Sequence, residues 1–263
     1  MQDHGDDFDP QLSPLCVYRA LIPAEKIQED PDLLDLFEDP VGRVWMGPSF
    51  VAGVPIANNR YYNLAFHHKG KAALGVWSEP GDMVRVREIY KDFEPMTQKL
   101  LDRVVTPLKW ALADLPPLPT WSSKNKQVVL IGDSAHAMLP NAAQGAAQAV
   151  EDAAVLAECL AAVKIASELA KAVDLYERAR KPRVETLAGI ARSNNAMLSV
   201  PNGPAQEGRD YMMKEMRQMQ QQQAPVNGQM SGERPKPDMM APFSSPPFME
   251  WLYGDVVEGI GGR

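Results

Sequence analysis

Short apolar runs alternate with turn-forming residues over the first third of the chain. The run LCVYRALI at residues 15–22 is rich in β-favouring residues and predicts a strand, followed by a short helix or loop at 32–37. Further apolar runs are separated by Gly, Pro and Asn, and they lie at residues 43–46, 50–57, 61–67 and 73–77. Asn-Asn-Arg at 58–60 predicts a hairpin turn. The pattern therefore predicts an antiparallel sheet of about four or five strands.

The apolar period lengthens to three or four residues beyond residue 88. This spacing predicts a helix over residues 88–105. PLKWAL at 107–112 leads into LPPLP at 115–119, which predicts an extended connector that cannot be helical. The run VVLI at 128–131 is typical of a strand covered on both faces. Two helices are predicted after it, over residues 142–163 and 167–199, and Pro182 is a candidate kink in the second.

The composition changes again near the C-terminus. Residues 201–247 are rich in Gln, Met, Pro and Gly, and we interpret most of them as low-complexity and mobile. Methionines at helical spacing within them could face a partner or form only a marginal amphipathic helix: Met212, Met213, Met216 and Met219. Residues 248–263 contain WLYG at 251–254, which is apolar enough to dock on the body as a tail.

Composition and charge exclude several classes of partner. A net charge of -7 argues against binding to nucleic acid or to an anionic membrane surface, because phosphate binding needs clustered Lys and Arg. No apolar run reaches the roughly 18 to 20 residues of a membrane span, and the acidic start is not a signal peptide. Cys16 and Cys159 form no motif and are expected to be buried thiols in a reducing compartment. We therefore expect a cytoplasmic protein.

The chemistry is concentrated around Gly132 and Asp133. Glycine at the end of a strand allows a sharp turn and close approach to a ligand, and the adjacent carboxylate can accept hydrogen bonds from the hydroxyls of a sugar alcohol. Pro140 fixes the following loop. Small residues then open a helix whose free N–H groups would favour an anionic ring edge, and the segment comprises Gln144, Gly145, Ala146 and Ala147. The same spacing also fits an ordinary strand and Ala-rich packing helix.

The segment GDSAHAMLPNAAQGAAQAVEDAAVLAECL at 132–160 resembles the second FAD-binding motif of the class A flavoprotein monooxygenases, especially the salicylate hydroxylase-like branch found in fungi. CVYRALIP at 16–23 resembles the strand that opens the substrate domain of that family, and LPPLPTW at 115–121 its approach to the motif. YERARKPR at 176–183 and WLYG at 251–254 resemble its C-terminal helix and tail.

The resemblance implies an α+β chain with part of the α/β flavoprotein hydroxylase fold. It implies a polar extension at residues 1–14, a substrate-binding domain at 15–121, and the second FAD motif with C-terminal helices at 122–200. The antiparallel sheet would belong to the substrate domain, and the FAD segment would consist of a strand and a helix.

The resemblance also implies a reaction. FAD would be reduced by NADH or NADPH, O2 would form a flavin C4a-hydroperoxide, and its distal oxygen would pass to a phenolic or salicylate-like ring. Asp133 would bind the ribityl chain, Pro140 would lie beside the flavin where oxygen reacts, and the N–H groups of Gln144, Gly145 and Ala146 would face its pyrimidine edge.

Two expected features of the family are not found in the sequence. The GxGxxG turn for the FAD pyrophosphate and the Asp-Gly motif shared by cofactor and nicotinamide are missing, and the single Gly-x-Gly, at 259–261, has no strand before it and no helix after it. We therefore expect a truncated monooxygenase, with a complementing chain or a homodimer as the candidate partner arrangements. The alternative is a non-catalytic interaction module that retains the substrate-domain fold.

Other chemistries are less consistent with the sequence. Gly-Asp-Ser at 132–134 also resembles the nucleophile block of the GDSL hydrolases, but no histidine follows His136. His67 and His68 are adjacent on a strand and point to opposite faces, which argues against a shared metal. Arg19 is a candidate for a substrate carboxylate and Tyr18 for ring contact or proton transfer, or each has only a structural role. Because neighbours on one strand face opposite ways, we expect at most one of the two to line the pocket.

Overall fold

A six-stranded antiparallel sheet forms the first half of the computed structural model, which describes residues 8–38, 42–70, 75–76 and 78–222. The strand order is β2-β3-β4-β1-β6-β5. The strands are β1 (Gln11–Pro23), β2 (Arg43–Trp45), β3 (Phe50–Ile56), β4 (Tyr61–Lys69), β5 (Ser78–Pro80) and β6 (Leu108–Asp114). The predicted antiparallel sheet is confirmed.

The helices lie on both sides of this sheet and beyond it. They are α1 (Ala24–Gln28), α2 (Asp35–Glu38), α3 (Met83–Tyr90), α4 (Pro95–Arg103), α5 (Asp133–His136), α6 (Gly145–Ala161), α7 (Leu169–Leu198) and α8 (Pro204–Gln222). Single 3-10 turns occur at Pro31–Leu33, Pro140–Ala142 and Ala166–Glu168. The α+β class and the two long C-terminal helices are therefore as predicted.

The two faces of the sheet have different partners because side chains alternate along each strand. One face packs under the first helices in a core that contains Ile22, Leu64, Phe66, Tyr90 and Leu100. The other face contributes a smaller cluster that meets the segment between α5 and α6 and one residue of α7: Val17, Phe50, Leu112, Leu139, Ala142 and Ala191. The second face also forms one wall of the largely apolar cavity described in the next section.

A third core joins α6 to α7 behind that segment, and it includes Trp121, Val155, Tyr176 and Val184. Cys159 lies in the same core and Cys16 lies in the sheet, and both are buried free thiols, as expected. Within the described residues, no helix is long and apolar enough to cross a membrane.

The predicted helix over residues 88–105 is wrong as one element. The chain forms α3 and α4 instead, with Pro95 in the first turn of α4 and the break at residues 91–94. Proline is favoured there because it has no N–H to leave unpaired in the first turn, and its ring would clash inside a continuous helix. The periodic pattern continues across the break because both helices bury their apolar side on the same core.

Strand assignments also differ in three places. β1 starts at Gln11, four residues before the predicted strand. Residues 108–114, for which no strand was predicted, form β6 because β1 supplies their hydrogen-bonding partner. Residues 128–131 form no ladder and make only the isolated bridge between Val129 and Ser122. A strand needs a longer stretch of neighbouring backbone to which it can hydrogen-bond, and the described residues do not provide one for this run.

The C-terminal predictions divide between described and undescribed residues. Residues 204–222 form α8, so the predicted helix at the methionine spacing is confirmed. Residues 223–247, the tail at 248–263 and most of the predicted strand at 73–77 lie outside the described residues. Gly75 and Val76, which are described, are not in a strand.

Candidate functional site

A cavity of about 810 Å³ lies between the second face of the sheet and the segment that joins α5 to α6. The sheet contributes Val17, Arg19, Phe50, Ala52, Asn63, Ala65 and His67 to its wall, together with residues of β6. The opposite wall includes Asp133, Ala137, Met138, Pro140, Asn141 and Ala143. Residues that are more than a hundred positions apart in sequence thus face one space.

Strand alternation separates the two substrate-contact candidates on β1. Arg19 lines the cavity, with its Nη2 3.5 Å from Asn63 Oδ1. Tyr18 is 4% exposed in the core on the opposite face, where its ring stacks on His68 with centroids 4.7 Å apart. Burial raises the pKa of Tyr18, with smaller opposing effects from Lys109 and other charged groups. The structure therefore places Arg19, and not Tyr18, where a ligand in this cavity could meet it.

His67 is a cavity residue that the sequence did not single out as a site. It is 4% exposed, and its ring stacks on Phe50 with centroids 4.1 Å apart and an interplanar angle of 11°. Burial, assisted by His68 and Arg19, lowers the pKa of His67 to about 3, so the ring is neutral near pH 7. Among the residues that the structure describes, no group of three or more His, Cys, Asp or Glu side chains could hold a metal ion.

The Gly-Asp turn has the geometry that glycine makes accessible. Gly132 has φ of +57° and ψ of −143°, and a Cβ added to it would lie 3.1 Å from the Cβ of Ala149 on α6. Any side chain at this position would therefore be strained and crowded. The turn delivers Asp133 to the cavity wall as an exposed residue.

A buried carboxylate holds this turn. Asp152 on α6 is 0% exposed, and its Oδ2 accepts from the backbone N–H of Gly132 at 2.9 Å and from His136 Nε2 at 2.6 Å. Its Oδ1 accepts from Nε of Arg180, which lies on α7 and is also 0% exposed, at 2.8 Å. Burial alone would raise the pKa of Asp152, but the hydrogen bonds from His136, Gly132 and Arg180 together lower it.

The guanidinium of Arg180 is fully engaged by α6. It donates to Glu151 Oε2 at 2.5 Å and to the side-chain oxygen of Gln148 at 2.6 Å, and Glu151 also pairs with Arg183 at 2.9 Å. Sequence reasoning missed this network. The available signal was Glu-Asp at 151–152 within an otherwise apolar, Ala-rich helix, where a buried acid requires a buried partner.

The loop between α5 and α6 is held by α7 as well. Pro140 begins the 3-10 turn at Pro140–Ala142, and Asn194 of α7 donates its amide N–H to the backbone oxygen of Asn141 at 2.9 Å. Asn141 in turn donates to the side chain of Asn195 at 2.6 Å. These bonds fix the position at which Pro140 enters the cavity wall.

The start of α6 has the features expected of a site for negative charge. Its N-cap, Gln144, is buried and makes no side-chain capping bond, and the following Ala146 and Ala147 are exposed. A Cβ built on Gly145 would meet nothing within 4 Å, so the space over the first turn is open. Uncapped N–H groups and the helix dipole at such a turn favour an anion. Gln144 and the three residues after it do not line the cavity itself, which ends at Ala143.

These features fit FAD, the cofactor implied by the sequence. Asp133 offers acceptors for ribityl hydroxyls, and the open, uncapped first turn of α6 offers donors for the anionic ring edge. The cavity that Asp133 lines is mostly apolar in its wall residues, and its volume of about 810 Å³ is within the usual range for small-molecule sites.

Comparisons with known proteins agree with this reading. The family described as "FAD binding domain" matches residues 120–190. The FAD-dependent monooxygenase OpS4 of Beauveria bassiana is 29% identical over 93% of this chain and 54% of its own length, and atnJ of an Arthrinium species is 32% identical over 76% and 48%. The chain thus spans about half the length of these curated relatives.

Solved structures share the fold. A salicylate hydroxylase substrate complex superposes with a TM-score of 0.67 at 23% identity, and the match covers 82% of this chain and 56% of that one. A complex of CtdE with FAD gives a TM-score of 0.60 at 21% identity over 81% and 58%. The family and the FAD cofactor predicted from the Gly-Asp segment are confirmed by these matches. The chain thus shares a matched FAD binding domain, and sequence over about half of their length, with FAD-dependent monooxygenases, and it has the fold of the flavoprotein hydroxylases.

Proposed function

We propose that this chain is the substrate-binding and isoalloxazine-side part of an FAD-dependent monooxygenase that hydroxylates a phenolic or salicylate-like ring with NADH or NADPH and O2. The observation that carries this proposal is the shared cavity. It brings Asp133 and Pro140, from the segment matched to an FAD binding domain, opposite Arg19 on the sheet.

Each part of the cavity has a task in this proposal. FAD, when bound, would supply the activation of oxygen and the transfer of one oxygen atom to the ring. Asp133 would accept hydrogen bonds from the ribityl hydroxyls, and Pro140 would close the wall without adding an N–H donor. Arg19 would hold an acidic substituent of the substrate, because it is the one cation among the residues that line this cavity.

The apolar wall supports this chemistry by excluding water. Val17, Phe50, Leu112 and Met138 surround the space between Arg19 and Asp133. A dry, apolar wall strengthens the electrostatic contacts of a bound aromatic acid and protects a reactive oxygen species from water. The protein groups in the wall would thus position the ring and desolvate it.

Partner chains are a second part of the proposal. Val128 is 53% exposed, Ile131 40% and Val150 70%, and all three lie close in sequence or structure to the Gly132 turn. We propose that a complementing chain or a second copy covers these side chains when FAD binds, since exposed apolar side chains favour association. Sedimentation velocity with and without FAD would measure it, and a monomer in both conditions would contradict the second-copy arrangement.

The first experiment is titration of the full chain with FAD, followed by flavin fluorescence quenching. Asp133→Ala should weaken binding by about 10- to 100-fold, because a hydrogen bond to a charged group contributes roughly 1.5 to 3 kcal/mol. Asp92→Ala is the matched control, since Asp92 is an exposed aspartate that does not line the cavity. NADH and NADPH oxidation with a panel of phenols and phenolic acids would follow.

The result also decides between the monooxygenase and the alternative of a non-catalytic module. Micromolar binding that is lost only in Asp133→Ala, with substrate-dependent oxidation, supports the enzyme. A chain that is folded by circular dichroism but binds no FAD at any protein concentration would refute a free-standing enzyme.

A further inference from the structure

The floor of the cavity is a row of small side chains between polar ones. Ala52 on β3 pairs directly with Ala65 on β4, and Ala65 pairs with Arg19 on β1. Residues two positions to either side of Ala65 on the same face are Asn63 and His67. The sheet therefore forms a shallow slot whose base is two methyl groups and whose borders carry hydrogen-bonding groups.

The slot suits a flat ring with two polar substituents. Alanine side chains leave room above the sheet for a planar group, and the neighbouring positions on one sheet face are within reach of one another across strands. Arg19 Nη2 lies 3.5 Å from Asn63 Oδ1, so both side chains are within reach of a single acid group on a bound ring. His67 stands at the other border, on the far side of Ala65.

The imidazole of His67 has a fixed orientation, but one of its nitrogens makes no hydrogen bond. Its ring is fixed by the stack on Phe50, and its Nδ1 is buried with no hydrogen-bond partner. A buried polar atom without a partner is unfavourable, and a ligand group that bonds to the ring would relieve that cost. Because a pKa of about 3 keeps the ring neutral, it offers one donor and one acceptor rather than a positive charge.

We propose that His67 is the specificity residue that recognises a ring hydroxyl of the aromatic substrate lying over Ala52 and Ala65, while Arg19 holds the acid group of the same ring. This assignment deepens the proposed function and rests on it for the identity of the cavity as a substrate site. The chemical class is a hydroxylated aromatic acid, and the hydroxyl bonds to the neutral imidazole.

His68 provides a matched control for His67. Both histidines are on β4 and 4% exposed, and both stack on an aromatic ring of a neighbouring strand. His68 faces the opposite core against Tyr18 and does not line the cavity. Replacing either by Phe keeps an aromatic ring in the stack and removes the ring nitrogens, so the two variants differ mainly in which face they change.

The experiment is calorimetric titration of the full chain with benzoate and with 2-, 3- and 4-hydroxybenzoate, with and without saturating FAD. At least one hydroxybenzoate should bind the unmodified chain about three- to tenfold more tightly than benzoate, as expected for one hydrogen bond between neutral groups. His67→Phe should bring this ratio close to one, and His68→Phe should leave it unchanged. The ratio is the informative quantity, because general damage to the fold weakens both acids together.

Each outcome supports or overturns the assignment. Failure of the unmodified chain to bind any of the four acids, or an unchanged ratio in His67→Phe, would overturn it. If His67→Phe does not fold, as judged by circular dichroism, His67→Gln replaces it and should preserve binding of benzoate while changing the hydroxyl preference. A preference that depends on His67 in a chain that neither binds FAD nor oxidises NADH or NADPH would support the slot and refute the monooxygenase.

Discussion

Removal of the buried Asp152 carboxylate should destabilise the chain and disorder the turn at Gly132. The carboxylate accepts from Gly132, His136 and Arg180 at 2.9, 2.6 and 2.8 Å, and both it and Arg180 are 0% exposed. Breaking a buried ion pair by deleting one partner costs about 3 to 5 kcal/mol, because the remaining charge is left without compensation. Since Arg180 keeps its bonds to Glu151, we expect Asp152→Ala to cost about 3 kcal/mol, towards the lower end.

Two further variants separate charge from shape. Asp152→Asn has the same size but loses the charge and one acceptor, and we expect it to cost about 2 kcal/mol. Glu151→Gln is the matched control, because Glu151 is the adjacent carboxylate and also pairs with Arg180 but is 23% exposed. Its loss should cost about 1 kcal/mol or less, since water can solvate the exposed oxygens.

Urea unfolding followed by far-ultraviolet circular dichroism would measure these differences at pH 7. The pKa of Asp152 is lowered in the folded state, so its contribution is full above the ordinary aspartate pKa of about 3.9 and is lost as the pH falls through the lower folded value. The gap between the unmodified chain and Asp152→Asn should therefore narrow in acid. Equal unfolding free energies for Asp152→Asn and Glu151→Gln, or a gap that widens in acid, would refute the reasoning.

Three other variants test separate parts of the site. Gly132→Ala should lower the free energy of urea unfolding by about 1 to 3 kcal/mol, because Gly132 has a positive φ and an added Cβ would lie 3.1 Å from Ala149. Gly189→Ala, at an open position within α7, is the control and should be neutral or stabilising. Equal effects of the two substitutions would show that the backbone at Gly132 is not strained. Tyr176→Phe removes the bond from its hydroxyl to the backbone oxygen of Leu130 at 3.1 Å and should cost about 1 kcal/mol, and no change would mean that this bond does not hold the segment before the turn. Burial keeps His67 neutral in the folded chain, with a pKa of about 3, whereas the unfolded residue becomes charged below about pH 6.5. His67 should therefore lower the free energy of unfolding by roughly 1.5 kcal/mol between pH 6.5 and 5. If the free energy of unfolding has the same pH slope in His67→Phe as in the unmodified chain, this contribution is ruled out.

The sheet could be anticipated from the sequence because its signals are local. The alternation of side chains on β1 predicted that Tyr18 and Arg19 would face opposite sides, and the Asn-Asn-Arg turn predicted the pairing of β3 with β4. In that turn Asn58 and Asn59 have φ of 55° and 60°, a conformation that asparagine tolerates better than most residues. The positions of the cavity residues on the sheet follow from this register.

Elements that depend on distant partners could not be read in the same way. β6 is a strand because β1 lies beside it, although its own sequence leads into a proline-rich connector. The run at 128–131 has the composition of a strand, but within the described residues only Ser122 bridges to it. Propensity indicates which conformations a segment can adopt, whereas the neighbouring backbone decides which of them forms.

The buried charges were the least predictable part of the site. Arg180 lies in a sequence rich in charged residues, with Glu177 three positions before it, so the helix read alone suggests a solvated charged face. It is buried because α7 packs against α6 at the position where Gln148, Glu151 and Asp152 present their oxygens. Burial of a charge is a property of two helices together, so one helix read alone cannot reveal it.

The cavity walls are held by two different kinds of structure. Arg19 and His67 are placed by the register of a hydrogen-bonded sheet, in which a shift of one residue would turn both away from the cavity. Asp133 is placed by one strained turn that depends on the buried Asp152. The sheet wall of the cavity is thus specified by many weak backbone bonds, and the wall that carries Asp133 by a few strong buried ones. Loss of one buried group should therefore disturb the Asp133 wall while leaving the register of the sheet wall intact.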